Sequence, residues 1–320
     1  MTHFYAFNGD ADGLCALQQL RLADPQEVRL VTGVKRDIQL LRRVDAEAGD
    51  TVTALDISLD QNRGDLLRLL DAGASVRYFD HHHAGELPEH PALMACIDER
   101  AEVCTSILVD HYLAGRHRMW AITAAFGDNL GTVAAAMARD AGLGNAAAST
   151  LQMLGTCLNY NAYGETIADL HIDPVELAQQ MMPFADPLEF AACSEAYVRL
   201  TAGYRDDMER TRDLSPAHQL PGATMLVLPN APWARRAIGV LANERMQTDP
   251  DNALAILSPK SGGGYTVSVR VPAHSASSAA DFCRTFETGG GRKTAGGINH
   301  LPEADVERFT DRFDACFAKR

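Results

Sequence analysis

Acidic and imidazole side chains recur in this sequence where an α/β chain would turn. Asp10 and Asp12 stand two apart in FNGDADGLCAL. Asp56 follows an apolar run in TVTALDIS, and Asp128 lies in AFGDN. Asp80 opens the cluster DHHH with His81, His82 and His83. A turn explains Gly9 and Gly13, but it does not require both Asp10 and Asp12. Carboxylate oxygens suit magnesium or manganese, and imidazole shifts the preference toward manganese and other transition ions. Two such ions close together would bridge a phosphate oxygen, orient water and stabilise charge on the attacking and leaving oxygens. Alternatively, Asp10 and Asp12 cap the following helix while the histidines form a surface turn. Each motif alone fits both readings; the set points to a metal site.

A second group is basic and glycine-rich. SPKSGGGYTVSVRVP precedes TGGGRKTAGGIN, so Gly289, Gly290 and Gly291 stand immediately before Arg292 and Lys293. These glycines permit close backbone approach, and amides in a glycine-rich bend can cradle an anion. Arg292, Lys293 and Arg270, the last on a candidate strand, can neutralise anionic oxygens. The plainer reading gives the glycines turn duties and leaves the two basic residues solvated.

The elements needed to position these groups alternate in the first half. HFYAF, VRLVTG, TVTALDIS and SVRYFD read as strands. Between them, the segment to about Leu22, IQLLRRVDAEA and QNRGDLLRLLDAG have helical spacing. This alternation predicts a parallel sheet with helices on its faces. Such a sheet gathers ligands at the carboxyl ends of its strands, where residues distant in sequence meet. From about Val103 the pattern turns helical, with VCTSILVDHYLAG as one helix and a break at GDN before another. A carboxylate beside that break can reach a site. SPAHQLPG marks a boundary, after which TMLVLPN, NALAILSP and YTVSVRVP read as strands. WARRAIGVLANERMQ and two C-terminal segments read as helices. The expected plan is a parallel-sheet α/β domain over residues 1–190, a helical connector over 191–213, and a smaller mixed α/β domain over 214–320, with a cleft between the domains.

NGDADG, the LDIS aspartate, DHHH, the GDN aspartate and GGGRKTAGG, in that order, resemble the DHH phosphoesterase superfamily with its C-terminal DHHA1 domain. The resemblance spans nearly the whole chain. It implies a metal-dependent catalytic domain followed by a substrate-binding domain, and a two-metal site filled by manganese, with magnesium as the other candidate. Asp10 would ligate one metal and Asp12 the other. Asp56 would bridge them, while His81 and Asp128 complete the second site. Asp80 would orient the histidine pair, and His82 would contact phosphate. Two departures matter. Many relatives carry a metal-binding histidine four residues before the first aspartate, where this chain has Ala6. A weakened first metal site is therefore expected. A histidine often follows the glycines, where this chain has Arg292; its fixed fork suits phosphate or a carboxylate but not proton transfer.

The expected reaction is hydrolysis of a phosphodiester in a short oligonucleotide or small nucleotide. Alternatives are a 3′-phosphonucleotide phosphatase, a cyclic-dinucleotide phosphodiesterase, an inorganic polyphosphatase, or a phosphate-ligand sensor without turnover. A formal charge of −13 over 320 residues argues against coating long DNA, because nonspecific affinity needs many neutralised phosphates. It does not exclude a short nucleic-acid oligomer or phosphorylated nucleotide. The apolar fraction of 46% and charged fraction of 22% fit a globular protein, with no membrane-length apolar run or signal-like start. Cytoplasmic residence follows as the expectation. Seven cysteines without a CxxC pair predict neither a disulfide framework nor a cysteine zinc cluster. Cys15, near the first acids, has no local histidine partner and reads as core filler.

Overall fold

The computed structural model describes residues 1–319, which divide after Ala202 into two compact units, 1–202 and 203–319. In the first unit, β1 (His3–Phe7) leads into α1 (Ala11–Ala23), and β2 (Arg29–Val31) follows. β3 (Thr51–Leu55), α2 (Leu59–Asp71), β4 (Ser75–Asp80) and β5 (Leu93–Ile97) complete an entirely parallel sheet of order β2-β1-β3-β4-β5. Four of the five residues of β1 and of β3 are buried, as expected for strands covered on both faces. Leu59, Leu66, Leu69 and Leu70 form the inward stripe of α2, whose start is capped by the Ser58 hydroxyl.

The helix expected in IQLLRRVDAEA does not form; a single 3-10 turn at Leu41–Arg43 stands there. Side chains of α2 take the backbone groups that a helix would have used. Asn62 accepts from the Leu41 N–H at 3.1 Å and donates to the Ile38 carbonyl at 2.7 Å. Arg68 donates to the carbonyls of Leu41 and Val44 at 2.9 and 3.2 Å. Leu40, Leu41, Val44 and Ala46 are thereby buried against the sheet in an extended layer.

The remainder of the first unit is helical: α3 (Thr105–Tyr112), α4 (Arg118–Gly127), α5 (Gly131–Asp140), α6 (Asn145–Asn161), α7 (Pro174–Met181), α8 (Pro187–Cys193) and α9 (Glu195–Thr211), the last running into the second unit. Gly127 and Gly155 permit close packing of α1, α4 and α6. A Cβ on Gly127 would lie 2.4 Å from the Ala11 Cβ, and one on Gly155 would lie 2.1 Å from the Thr123 carbonyl. That closeness brings the end of α4 to the start of α1.

The second unit holds β6 (His218–Leu220), β7 (Ala223–Val227), α10 (Pro232–Thr248), β8 (Ala253–Pro259), β9 (Tyr265–Arg270), α11 (Ala279–Cys283), β10 (Gly289–Gly291), β11 (Ala295–Leu301) and α12 (Val306–Phe317). Its sheet runs β10-β11-β9-β8-β7-β6, with β7 and β8 parallel and the other neighbours antiparallel. Phe282, Phe286, Phe309 and Phe313 join the strands in one apolar core. Among the described residues no helix is long and apolar enough to cross a membrane. Cys15, Cys104, Cys157 and Cys283 are buried thiols, whereas Cys193 and Cys316 are exposed.

Candidate metal centre

In a parallel sheet of this order, the chain leaves β1 and β3 in opposite directions, opening a crevice at their carboxyl ends. Asp10 follows β1, Asp56 follows β3 directly, and Asp80 is the last residue of β4 with His81 next. Asp56 has φ of +58°, a left-handed conformation that a non-glycine residue adopts at some cost. Its carboxylate is thereby turned into the crevice, where Thr105 Oγ1 donates to Oδ1 at 3.2 Å.

Asp10 and Asp12 divide the two roles considered from sequence. Asp10 caps α1, with Oδ1 accepting from the N–H groups of Asp12 at 3.0 Å and Gly13 at 3.1 Å. Asp12 does not cap its own helix; it reaches the start of α3. Its two oxygens accept from the N–H groups of Thr105 and Ser106, each at 2.7 Å. Both carboxylates are therefore fixed by backbone donors while their remaining lone pairs face the crevice.

His81 is buried, and its Nδ1 lies 2.8 Å from the Val103 carbonyl. A carbonyl only accepts, so Nδ1 carries a proton, which leaves Nε2 as the ring atom facing the crevice. Nε2 lies 3.3 Å from Asp56 Oδ1 and 3.8 Å from Asp12 Oδ2. Nε2 and two carboxylate oxygens thus converge, an arrangement that positive charge stabilises. One oxygen of Asp56 and one nitrogen each of His81 and His82 lie within 4.8 Å of one another.

His82 is half-exposed, and its Nδ1 donates to Asp80 Oδ1 at 2.7 Å. Burial works against the imidazolium, but the Asp80 hydrogen bond and charge outweigh it and hold the His82 pKa above its ordinary value. His83 stands apart, exposed and paired with Glu99 at 3.2 Å. Asp128 occupies the end of α4, where Leu130 N–H bonds to Ala125 O at 2.8 Å and Asn129 N–H to Phe126 O at 3.2 Å. With Asn129 at φ +62°, this is a Schellman ending, and it turns the chain sharply at Asp128. The Asp128 charge is felt at Asp12.

Burial pushes the Asp56 carboxyl well above the usual range, and the neighbouring Asp10 and Asp12 push it further. Burial raises Asp12 too, with Asp128 and Asp10 adding to the shift against the attraction of His81. These acids demand positive charge, and the convergence of carboxylate oxygens with imidazole nitrogen fits a divalent cation. Cys15 has the opposite chemistry: burial and the adjacent acids hold its thiol far above its ordinary pKa, so it is no nucleophile.

Neither protein-family models nor curated proteins match this chain significantly. Solved structures do. Exonuclease RecJ bound to manganese matches over 98% of this chain and 89% of its own, with a TM-score of 0.62 at 18% identity. A pGpG-specific phosphodiesterase, PggH, from Vibrio cholerae matches over 99% and 100%, with a TM-score of 0.54 at 15% identity. An exopolyphosphatase-related protein from Bacteroides fragilis matches over 98% and 92%, with a TM-score of 0.52 at 12% identity. The fold is the one these structures share, in keeping with the resemblance to the DHH phosphoesterases drawn from the sequence. At these identities the likeness is one of fold.

Four contributors to the candidate centre were not visible in sequence. Thr105 and Ser106 hold Asp12 and Asp56, and their only signal was a polar pair at the start of an apolar helix. Lys35 and Asn159 are the others. The Lys35 ammonium pairs with Asp10 Oδ2 and donates to Asn159 Oδ1 at 3.0 Å. Nothing in VTGVKRD distinguishes this lysine from a solvated one.

The phosphate-binding candidates lie in the second unit. Arg270 ends β9, with Nε donating to Asn243 Oδ1 at 3.2 Å and Nη1 to Ser268 Oγ at 3.0 Å. Gly289, Gly290 and Gly291 form the edge strand β10 rather than a bend, and the chain turns at Arg292–Thr294 into β11. Close packing explains part of the glycine run: a Cβ on Gly289 would lie 1.7 Å from the Cys283 carbonyl. Arg292 and Lys293 are exposed on that hairpin.

Proposed function

We propose that this chain is a metal-dependent phosphoesterase that hydrolyses phosphodiester bonds in short oligonucleotides or small nucleotides, with manganese as the ion. The observation that carries the reading is the placement of His81. Val103 holds Nδ1, which leaves Nε2 facing the Asp12 and Asp56 carboxylates, so buried ligand atoms converge where a cation would sit. Asp12, Asp56, His81 and Asp128 would hold the ion. When bound, the ion would lower the pKa of a water and neutralise charge on the phosphate.

The protein's own groups complete the chemistry. Asp56, steadied by the Thr105 hydroxyl, orients the attacking water. His82, steadied by Asp80 and open to solvent on one side, donates a hydrogen bond to a phosphate oxygen. Arg270, the Gly289–Gly291 backbone, Arg292 and Lys293 hold a nonreacting phosphate. The charge of −13 favours a short ligand over a long duplex track. The fold likeness to an exonuclease and to a pGpG-specific phosphodiesterase supports the phosphodiester choice.

The test compares cleavage with manganese, with magnesium and after chelation. Substrates are short RNA and DNA oligomers, pGpG, cyclic dinucleotides, 3′-phosphonucleotides and inorganic polyphosphate, with products separated directly. Manganese-dependent release of nucleotides from the linear diesters is expected. Cleavage of polyphosphate or 3′-phosphonucleotides alone would overturn the diester assignment, and metal-supported binding without cleavage would make the chain a sensor.

A further inference from the structure

The Asp10 side of the centre differs in kind from the His81 side. Asp10 Oδ1 is committed to two backbone N–H groups, and Oδ2 holds the Lys35 ammonium. Ala6 is wholly buried and belongs to the apolar cluster that includes Val52, Ala54 and Leu40. The resemblance to a two-metal centre calls for a cation at this place, and the chain supplies one of its own. We propose that Lys35 is the resident cation on the Asp10 side of the centre, so that the protein carries one divalent ion, held by Asp12, Asp56, His81 and Asp128.

The position of Lys35 is built, not incidental. Its backbone N–H donates to the Ala162 carbonyl at 2.9 Å, and its carbonyl accepts from Asn8 Nδ2 at 3.4 Å. Its ammonium lies 5.6 Å from the Tyr163 ring centroid, within cation–π range. The acceptor Asn159 is itself buried on α6. The loop that carries Lys35 packs directly on the turn that carries Asp10. A Cβ on Gly9 would lie 2.3 Å from the Gly33 carbonyl, so only glycine at position 9 allows that approach. Three segments, after β2, after β1 and at the end of α6, therefore converge to seat one charged nitrogen.

Charge balance favours the same reading. Asp10, Asp12, Asp56 and Asp128 all act on this region, and both Asp56 and Asp128 attract the Lys35 charge in addition to Asp10. One divalent ion with one ammonium offsets most of four carboxylates. A second divalent ion beside Lys35 would face an ammonium already bonded to its principal ligand, a repulsion poorly screened in a buried site.

This inference rests on the metal-dependent reading above, and metal stoichiometry separates the two. Equilibrium dialysis of the intact chain against manganese, with ions counted by mass spectrometry, is expected to saturate at one per chain. The bound ion should give a mononuclear six-line paramagnetic resonance spectrum. Saturation at two, with an exchange-coupled spectrum, would overturn the role of Lys35 and leave the functional reading intact. No bound ion would overturn both. Lys35→Met, and Lys35→Gln as a more polar second variant, should shift saturation from one ion to two, the second binding more weakly. A folded variant that still saturates at one would show that Lys35 does not hold that place.

Discussion

Asp12 and Asp56 should part company in the metal-free protein, although both are assigned to the same ion. Asp12→Ala removes the acceptor for two buried backbone donors, the N–H groups of Thr105 and Ser106, each at 2.7 Å. A hydrogen bond to a charged group contributes about 1.5–3 kcal/mol, and a buried donor left unpaired costs a similar amount. Removing one of several clustered carboxylates returns part of that loss, leaving a destabilisation of about 2–4 kcal/mol. For a cooperative unit of this size, that lowers the melting temperature by roughly 5–15 °C. Asp56→Asn behaves differently. Asparagine tolerates the left-handed backbone at this position and keeps an oxygen for the Thr105 hydroxyl, while the buried charge disappears. Its melting temperature with a chelator should equal or exceed that of the wild type. With manganese at about a hundredfold its Kd, the wild type should gain about 2.7 kcal/mol, and both variants should lose most of that gain. Thermal unfolding followed by circular dichroism, with chelator and with manganese, measures all six values. Equal chelated stabilities for Asp12→Ala and the wild type, or a less stable Asp56→Asn, would refute the reasoning.

The pH dependence of the chelated protein follows from the same carboxyl. The Asp56 pKa is raised on folding, so its contribution is fully present below the unfolded value and is lost as pH rises through the folded value. Asp56→Asn should flatten that fall, and parallel profiles would remove Asp56 as its source. Manganese competes with the same proton, so manganese affinity measured by titration calorimetry should weaken as pH falls, with protons released on binding; a flat profile would contradict this. Asp80→Asn loses the charged partner of His82 and should lower turnover by roughly tenfold to a hundredfold at little cost in manganese affinity. A parallel fall in affinity would place Asp80 with the metal ligands instead. Arg292→Ala lies on an exposed hairpin and should change stability by less than about 0.5 kcal/mol. It should raise KM most for substrates with an additional terminal phosphate, and an unchanged preference would remove Arg292 from the clamp.

Where the sequence was legible, one interaction type dominated. Parallel strands buried on both faces leave unbroken apolar runs, and so β1, β3 and β4 were plain, with Asp10, Asp56 and Asp80 at their ends. The GDN break was readable because a Schellman ending needs a residue that tolerates the left-handed conformation, here Asn129. What failed depended on contacts between distant segments. IQLLRRVDAEA has helical spacing, yet Asn62 and Arg68 from α2 take its backbone groups, and only a single 3-10 turn forms. β5 went unread because half-buried LMACI lacks a strong alternation. Asp12 was weighed as a cap for its own helix, whereas it receives the N–H groups of α3 from 93 and 94 residues away. Lys35 was the largest omission. A lysine in a polar loop is ordinary in sequence, and only the approach of Gly33 to Gly9 reveals where its ammonium goes.

The most direct test of the metal centre is an anomalous difference map at the manganese absorption edge, from crystals of the wild-type protein equilibrated with manganese. The account predicts a peak enclosed by Asp12, Asp56, His81 and Asp128, bonded to His81 through Nε2. Manganese bound through other residues, or no peak at a concentration that supports cleavage, would contradict it.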